Sequence, residues 1–454
     1  MRSRIPTISC HSPKNKHSKA LFYIESLGCA KNQVDSEALI ARLESLGYGY
    51  TEDAASARYI LVNTCGFIWS AKQESIDTAL QLRQRYPLKK VLMVGCLVQR
   101  YGAELNAGMP EVDGFMGNRD LGCIENLIKT VDMGKRPLLL PADFRDGHMY
   151  RRDRLLSYPG SAYVKLAEGC GNNCSYCAIP LIRGPLRSRP APDIAAEVTA
   201  LLEAGIREIV FIAQDLSAYG LDRGGPGLVS LVKTVLKTPH DFWLRLLYIH
   251  PDMFPLPLLD IMKHDPRVLP YFDLPFQHAS PAVLKAMGRR GSGETYLRLI
   301  DSIRARCGGA VIRSTFLVGF PGETGEDFQQ LLDFQRSAEL NWAGMFVYSV
   351  EEGTPAAAFK GRVKKETARL RQARLEETQQ AISAAWLNTM IGREIDVLVE
   401  EQVKNEALFL GRAYVHAPEV DGLVVVNGQG PLPGRIRRVM TTGRNGLDLE
   451  GVLC

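Results

Sequence analysis

Short apolar runs alternate with helically spaced segments along most of this chain, in two successive blocks, and that alternation confines the fold to parallel α/β arrangements before any motif is considered. In the first block, Leu21 to Ser26, Tyr59 to Asn63 and Val91 to Val94 have the continuous apolar character of buried parallel strands. Asp35 to Leu46 and Ser70 to Arg85 carry helical spacing between them, which predicts a small doubly wound α/β domain. In the second block the candidate strands are Ala162 to Leu166, Glu208 to Ala213, Trp243 to Ile249, Tyr271 to Leu274, Val311 to Val318 and Gly344 to Ser349. Helical patterns fall between them, including Asp193 to Glu203 and Phe328 to Ser337, the latter behind a capping signature at Thr324 and Asp327. These strand-helix units predict a partial (β/α) barrel with its chemistry at the carboxyl ends of the strands. A long polar helix from Lys364 to Asn388 follows, and after it short Val- and Leu-containing strands with Gly-Pro turns predict a small β-barrel.

A chain of 454 residues is too long for one hydrophobic core. The blocks therefore read as three domains, at residues 21–135, 161–390 and 391–454, with a proline-containing, charged linker at 136–160. Residues 1–20 are basic and contain Ser and Pro, and read as a disordered tail. No apolar stretch approaches the roughly 18 residues that cross a bilayer, so a cytoplasmic protein without a membrane partner is expected. The net charge of +5 is mild for this length and does not by itself indicate nucleic acid.

Ten cysteines are too few for a disulfide framework here, so no disulfide partner is expected and their spacing has to account for them. The sharpest group is Cys170-Gly-Asn-Asn-Cys174-Ser-Tyr-Cys177, directly after the first strand of the second block. Zinc sites usually join two cysteine pairs, and no second pair lies nearby. Three thiolates on one loop suit a 4Fe-4S cluster and leave one iron open to a substrate or cofactor. The loop resembles that of the radical S-adenosylmethionine (SAM) superfamily. That resemblance implies that SAM chelates the open iron and is cleaved to a 5′-deoxyadenosyl radical by an electron from the cluster. It further implies that Tyr176 lies near the adenine and that Gln214 and Asp215 hold the cofactor's amino group. Arg313 and the segment Val318-Gly319-Phe320-Pro321-Gly322-Glu323 resemble the parts that meet its carboxylate and adenine.

A second group is dispersed. Cys29, Cys65 and Cys96 each follow a predicted parallel strand of the first block, so all three converge at one sheet edge, where such folds bind ligands. A lone cysteine at a strand end is commonly a small buried apolar residue. Three in register point to a second three-thiolate cluster.

Gly28-Cys29 with Asn32 and Asp35-Ser36-Glu37, then Asn63-Thr64-Cys65, Gly95-Cys96, Glu168-Gly169-Cys170 and Arg183-Gly184 with Ser188-Arg189-Pro190 resemble the methylthiotransferase family over nearly the whole chain from Leu21. The resemblance implies an N-terminal cluster domain, a radical SAM core and a C-terminal TRAM barrel. It implies two 4Fe-4S clusters, the auxiliary one on Cys29, Cys65 and Cys96 supplying sulfur, a second SAM supplying methyl, and an electron donor such as flavodoxin or ferredoxin. One branch of the family modifies an adenosine of transfer RNA. The other modifies the β-carbon of an aspartate in the twelfth small-subunit ribosomal protein, free or within the assembled subunit. Cys65-Gly66-Phe67-Ile68 with Ser70-Ala71 and Gln73-Glu74-Ser75, Gln277-His278-Ala279-Ser280, Tyr348-Ser349 with Glu352-Gly353-Thr354, and Ala417-Pro418-Glu419-Val420-Asp421-Gly422 resemble the protein-modifying branch. From Arg393 onward seven basic residues face nine acidic ones, whereas a barrel that grips RNA should be clearly basic. The alternatives are the transfer-RNA enzyme and a non-enzymatic iron-sulfur adaptor that binds ribosome or RNA through the terminal barrel.

Two departures from the family pattern are small: Ala30 stands where the protein-modifying branch commonly has proline, and Gly171 where asparagine is usual. Cys10, Cys123, Cys307 and Cys454 lack partner spacing and read as non-ligands. His278 reads as a loop histidine making a local hydrogen bond, and Arg183, Arg187 and Arg189 as structural salt bridges or as holders of a substrate carboxylate or phosphate.

Overall fold

The computed structural model describes residues 20–142, 152, 154–225, 227–430 and 432–454. Residues 1–19 of the expected tail, Cys10 among them, lie outside the described residues, as does most of 143–153 within the expected linker.

The first block comprises β1 (Leu21–Ser26), α1 (Ala30–Ser45), β2 (Gly49–Tyr50), β3 (Tyr59–Thr64), α2 (Trp69–Arg85), β4 (Lys90–Gly95), α3 (Cys96–Gly108), β5 (Gly114–Met116), α4 (Ile124–Asp132) and β6 (Leu138–Leu139). The strands form one parallel sheet in the order β2-β1-β3-β4-β5-β6. Alternate side chains of its central strands feed two cores: Leu61 and Leu92 pack against Leu39, Leu43 and Ile124 on one face. Val62 and Met93 pack against Ala79, Leu97 and Leu105 on the other. β6 lies within the segment read as linker, where two apolar residues are too few to show a period. Helix α1 begins at Ala30, before the expected Asp35, because its polar first turn is buried and Ala30 and Val34 pack against Tyr163 and Val210 of the next domain.

The second block runs β7 (Ser161–Lys165), β8 (Ala167–Glu168), α5 (Ile179–Arg183), β9 (Arg187–Ser188), α6 (Ala191–Glu203), β10 (Glu208–Ile212), α7 (Leu228–Val235), β11 (Trp243–Leu246), α8 (Pro257–His264), β12 (Tyr271–Asp273), α9 (Pro281–Ala286), α10 (Gly293–Arg306), β13 (Val311–Val318), α11 (Gly325–Ala338), β14 (Trp342–Val347) and α12 (Lys365–Asn388). Two parallel triplets, β7-β10-β11 and β12-β13-β14, are joined by a parallel bridge between Leu244 and Val268, which gives an open six-stranded barrel. The capping signature is realised as a capping box, with Thr324 accepting from the Asp327 amide and the Asp327 carboxylate accepting from the Thr324 amide. The last block, β15 (Glu394–Gln402), β16 (Leu408–Ala413), β17 (Val424–Asn427), β18 (Ile436–Asn445) and β19 (Asp448–Leu453), closes into a barrel.

This terminal barrel docks on the amino ends of the central strands. Arg412 pairs with Glu208 (2.6 Å) and Glu400 (2.7 Å), and Arg245 pairs with Glu208 (2.8 Å) while donating to Tyr414 O (2.9 Å). Burial opposes charge on Glu208, but Arg412 and Arg245 outweigh it and hold the carboxyl down to about 2. Among the described residues no helix is long and apolar enough to cross a membrane.

Candidate active site

The strand order of the first sheet reverses between β1 and β3, and ligands of such sheets bind in the crevice at the carboxyl ends beside that switch. Cys29 follows β1, Cys65 follows β3, and Cys96 opens α3 immediately after the neighbouring β4. Gly28 has φ +89°, and a Cβ there would lie 2.9 Å from Cys65 Cβ, so only glycine lets the two cysteine loops approach. An amide staple fixes the loops. Asn63 Nδ2 donates to Asn32 O (2.8 Å) and Ser36 Oγ (2.9 Å), and Asn32 Nδ2 donates to Leu27 O (3.0 Å) and Thr64 O (2.9 Å). Cys96 Sγ accepts from Asn118 Nδ2 and Arg183 Nη2, each at 3.3 Å.

The other triad sits on the loop between β8 and α5. Asn172 Nδ2 donates to Asp215 Oδ2 (2.8 Å), Ser175 N donates to Met287 O (3.0 Å) and Cys177 N donates to Cys174 O (3.1 Å), so the loop is tied to the ends of two other barrel units. Burial pushes the Cys96 and Cys177 thiols up to about 12, and Cys170 to about 11. Buried thiols of this kind keep their protons at neutral pH unless a metal displaces them. Among the described residues no group of three or more His, Cys, Asp or Glu converges closely enough to hold a single metal ion. The donor set itself, three free thiols on one loop and three at the ends of neighbouring strands, is the ligand number of a 4Fe-4S cluster with one iron left open.

The triads meet. Cys96 packs in one buried contact with Ala178, the residue after Cys177, and with Ile182. Around this seam lies a buried charge network. Arg183 donates to Glu168 (2.9 Å), Asp35 (2.9 Å) and Asn32 Oδ1 (2.7 Å), and Lys165 pairs with Asp35 and Glu168. A second tie joins Lys72 (2.8 Å) and Arg100 (2.7 Å) of the first domain to Glu351, beyond β14. The Lys31 ammonium lies 3.2 Å from the centroid of the Tyr248 ring, and burial pulls it down to about 8.

Of the residues expected to meet SAM, Tyr176, Gln214, Asp215 and the segment from Val318 lie at the carboxyl ends of the strands with the second triad. The Tyr176 ring packs beside Met287 and Phe320, and its hydroxyl accepts from Arg289 (3.3 Å). Among the described residues neither buried amide atom of Gln214 has a hydrogen-bond partner, which fits a polar group held for a ligand. The Asp215 carboxylate is engaged by Asn172, by the Ser217 amide (2.9 Å) and by the His250 amide (3.2 Å), so it braces the cysteine loop. Val318 is buried, and the Gly319 amide is held by Glu323. Arg313 is not among them. It is the third residue of β13, five positions and roughly 16 Å from that strand's carboxyl end, and pairs instead with Asp273 and Asp421, each at 3.3 Å. Sequence reasoning missed Lys31, Tyr248, Arg289 and the Lys165 network. A lysine inside an otherwise apolar strand was the one available sign. Arg183 makes the structural pairs weighed for it, and the fully buried His278 accepts from the Ser280 amide (3.0 Å).

The chain matches the uncharacterized protein family UPF0004 over residues 21–117, the radical SAM superfamily over 164–334 and the TRAM domain over 391–454. Its relatives include the ribosomal protein uS12 methylthiotransferase RimO of Treponema denticola, 44% identical over 94% of this chain and 99% of that one. That of Carboxydothermus hydrogenoformans is 41% identical over 95% of this chain and 98% of the other. The fold is shared with the radical SAM methyltransferase TsrM from Kitasatospora setae, whose structure holds cobalamin and a 4Fe-4S cluster, at a TM-score of 0.57 and 15% identity over 74% of this chain and 73% of that one. With a cluster-type α/β domain, a radical SAM core and a TRAM barrel in that order, the chain belongs to the RimO family of methylthiotransferases.

Proposed function

We propose that this chain adds a methylthio group to the β-carbon of an aspartyl residue of ribosomal protein uS12, using two 4Fe-4S clusters and SAM, with Cys170, Cys174 and Cys177 holding the radical SAM cluster and Cys29, Cys65 and Cys96 the auxiliary one. One observation carries the reading: Cys96 of the first domain is packed on Ala178, the residue that follows Cys177 of the second domain's cysteine loop. When bound, the clusters and two SAM molecules supply the electron, the hydrogen-abstracting radical, the sulfur and the methyl group.

The chain's own residues do the positioning. Gln214 offers an unused amide donor and acceptor to the cofactor's polar end, Tyr176 and Val318 offer apolar surface to its adenine, and Asp215 holds the cysteine loop in place. Arg183 donates to Cys96 Sγ, so its charge works against the burial that raises that thiol, while Asp35 and Glu168 hold the guanidinium in place. The seam is closed by Lys72 and Arg100 on Glu351, which limits water near a reactive carbon radical. A small electron carrier such as flavodoxin or ferredoxin supplies reducing equivalents, and the reaction takes place in the cytoplasm.

Protein rather than RNA as substrate accords with the terminal barrel, where Arg412 is spent internally on Glu208 and Glu400, and Arg438 pairs with Glu394 (3.3 Å) and Asp396 (3.1 Å). The test is mass spectrometry of uS12 from cells with and without this gene. The reading requires a methylthio group in place of one hydrogen, present only with the gene, and is refuted if uS12 is identical in both while a transfer-RNA adenosine changes.

A further inference from the structure

The charges buried at the seam do not all pair within the protein. Lys165 and Arg183 take up Asp35 and Glu168, and Asp273, which accepts from the Tyr248 amide, is taken up by Arg313 of the amino-end network. Lys31 is left over. It is 8% exposed, sits on the buried first turn of α1, two residues beyond Cys29, and makes no ion pair among the described residues. Its ammonium rests on the face of Tyr248, which orients a cation without neutralising it. Tyr248 is itself held at φ +67°, a left-handed backbone that bulky side chains rarely adopt, by its amide donating to Asp273 (3.1 Å) and its carbonyl accepting from Leu216 (2.9 Å). Asp273 and Glu168 act on Lys31 only from a distance, and a buried cation with no carboxylate in contact is a site for an anion.

We propose that Lys31, pre-positioned on the Tyr248 ring, binds the side-chain carboxylate of the substrate aspartate. The inference rests on the function proposed above and deepens it. The carbon that gains sulfur is bonded directly to the carboxyl carbon, so fixing the carboxylate at Lys31 fixes the reacting carbon beside the auxiliary triad that begins at Cys29. The same contact selects a charged side chain over a neutral one of equal shape, since an amide gives the ammonium only a single neutral acceptor. The blander role, in which Lys31 merely offsets charge on an auxiliary cluster, makes a different demand, namely that its removal costs iron.

The test uses the anaerobically reconstituted full chain, as wild type, Lys31→Met and Lys31→Arg, against uS12 and against uS12 whose target aspartate is replaced by asparagine. Binding is followed by fluorescence anisotropy, iron and sulfide are counted, and product is read by mass spectrometry. Wild type should prefer the aspartate form. Lys31→Met should lose about 10- to 100-fold in affinity for that form, with little change for the asparagine form, so that the preference disappears while iron content stays at the wild-type level. Lys31→Arg should recover part of the preference. A Lys31→Met protein that keeps the preference, or that loses iron, overturns the assignment while leaving the function standing. Wild-type protein that neither binds nor modifies uS12 overturns the function, and the assignment with it.

Discussion

Both ends of the central barrel are covered by another domain, and the two covers are built differently. At the amino ends of the strands, Glu208, Arg245, Arg313 and Arg412 meet one another or acids and carbonyls of the terminal barrel. At the carboxyl ends, among the described residues, the buried Gln214 amide has no hydrogen-bond partner, the buried Lys31 ammonium has no ion pair, and six free thiols stand at the loops. A saturated polar network fixes geometry and holds domains together. An unsaturated one is unfavourable in the empty protein and is maintained where something other than protein completes it.

The largest effects should come from the unsaturated end. Cys174→Ala should abolish both 5′-deoxyadenosine formation and product, whereas Cys65→Ala should abolish product and leave 5′-deoxyadenosine formation. Chromatography with mass detection separates the two, and equal effects on both readouts would erase the distinction between the triads. Next comes the saturated end. Arg412→Met leaves Glu400 and part of Glu208 uncompensated and should cost about 3–5 kcal/mol in denaturant unfolding, with the iron content of the folded fraction unchanged. Iron loss in step with stability would mean that the two ends are not separable. The pH dependence of this joint follows from Glu208. Its carboxyl is lowered from 4.5 to about 2, so its contribution is complete above pH 4.5 and fades as pH falls through about 2.

Gln214→Leu sharpens the contrast in the opposite sense. It should leave stability unchanged or raise it by up to about 1–3 kcal/mol, because an unpaired buried amide disappears, while SAM binding measured by calorimetry weakens roughly tenfold. A loss of stability would show that the amide has a protein partner after all. The smallest effect is chemical. In the cluster-free protein Cys96 and Cys177 should resist iodoacetamide at pH 7, since burial holds both thiols near 12 and the unreactive protonated form dominates below that value. Labelling of both should rise with pH, and rapid labelling at pH 7 by peptide mapping would contradict their burial.

What could be read from the sequence divides along the same line. Continuous apolar runs announced the strands, so β1 and β13 span the residues expected of them, and the cysteines stood at strand ends where the topology brings them together. The polar contacts between domains were hidden. Lys31 is buried on the ring of Tyr248, and Lys165 gains its partner Asp35, through packing between domains that no local pattern announces. Arg313 shows the limit most plainly. A strand places alternate residues on one face, but the distance of an arginine from the strand's carboxyl end decides whether it reaches a cofactor or a neighbouring domain.

The central claim, two cluster sites on one seam, is tested most directly by iron and sulfide analysis of anaerobically reconstituted wild type beside two triple alanine variants, one at Cys29, Cys65 and Cys96 and one at Cys170, Cys174 and Cys177. The account predicts about eight irons per wild-type chain and about four in each variant. About four in the wild type, or a wild-type count in the Cys29, Cys65 and Cys96 variant, would contradict it.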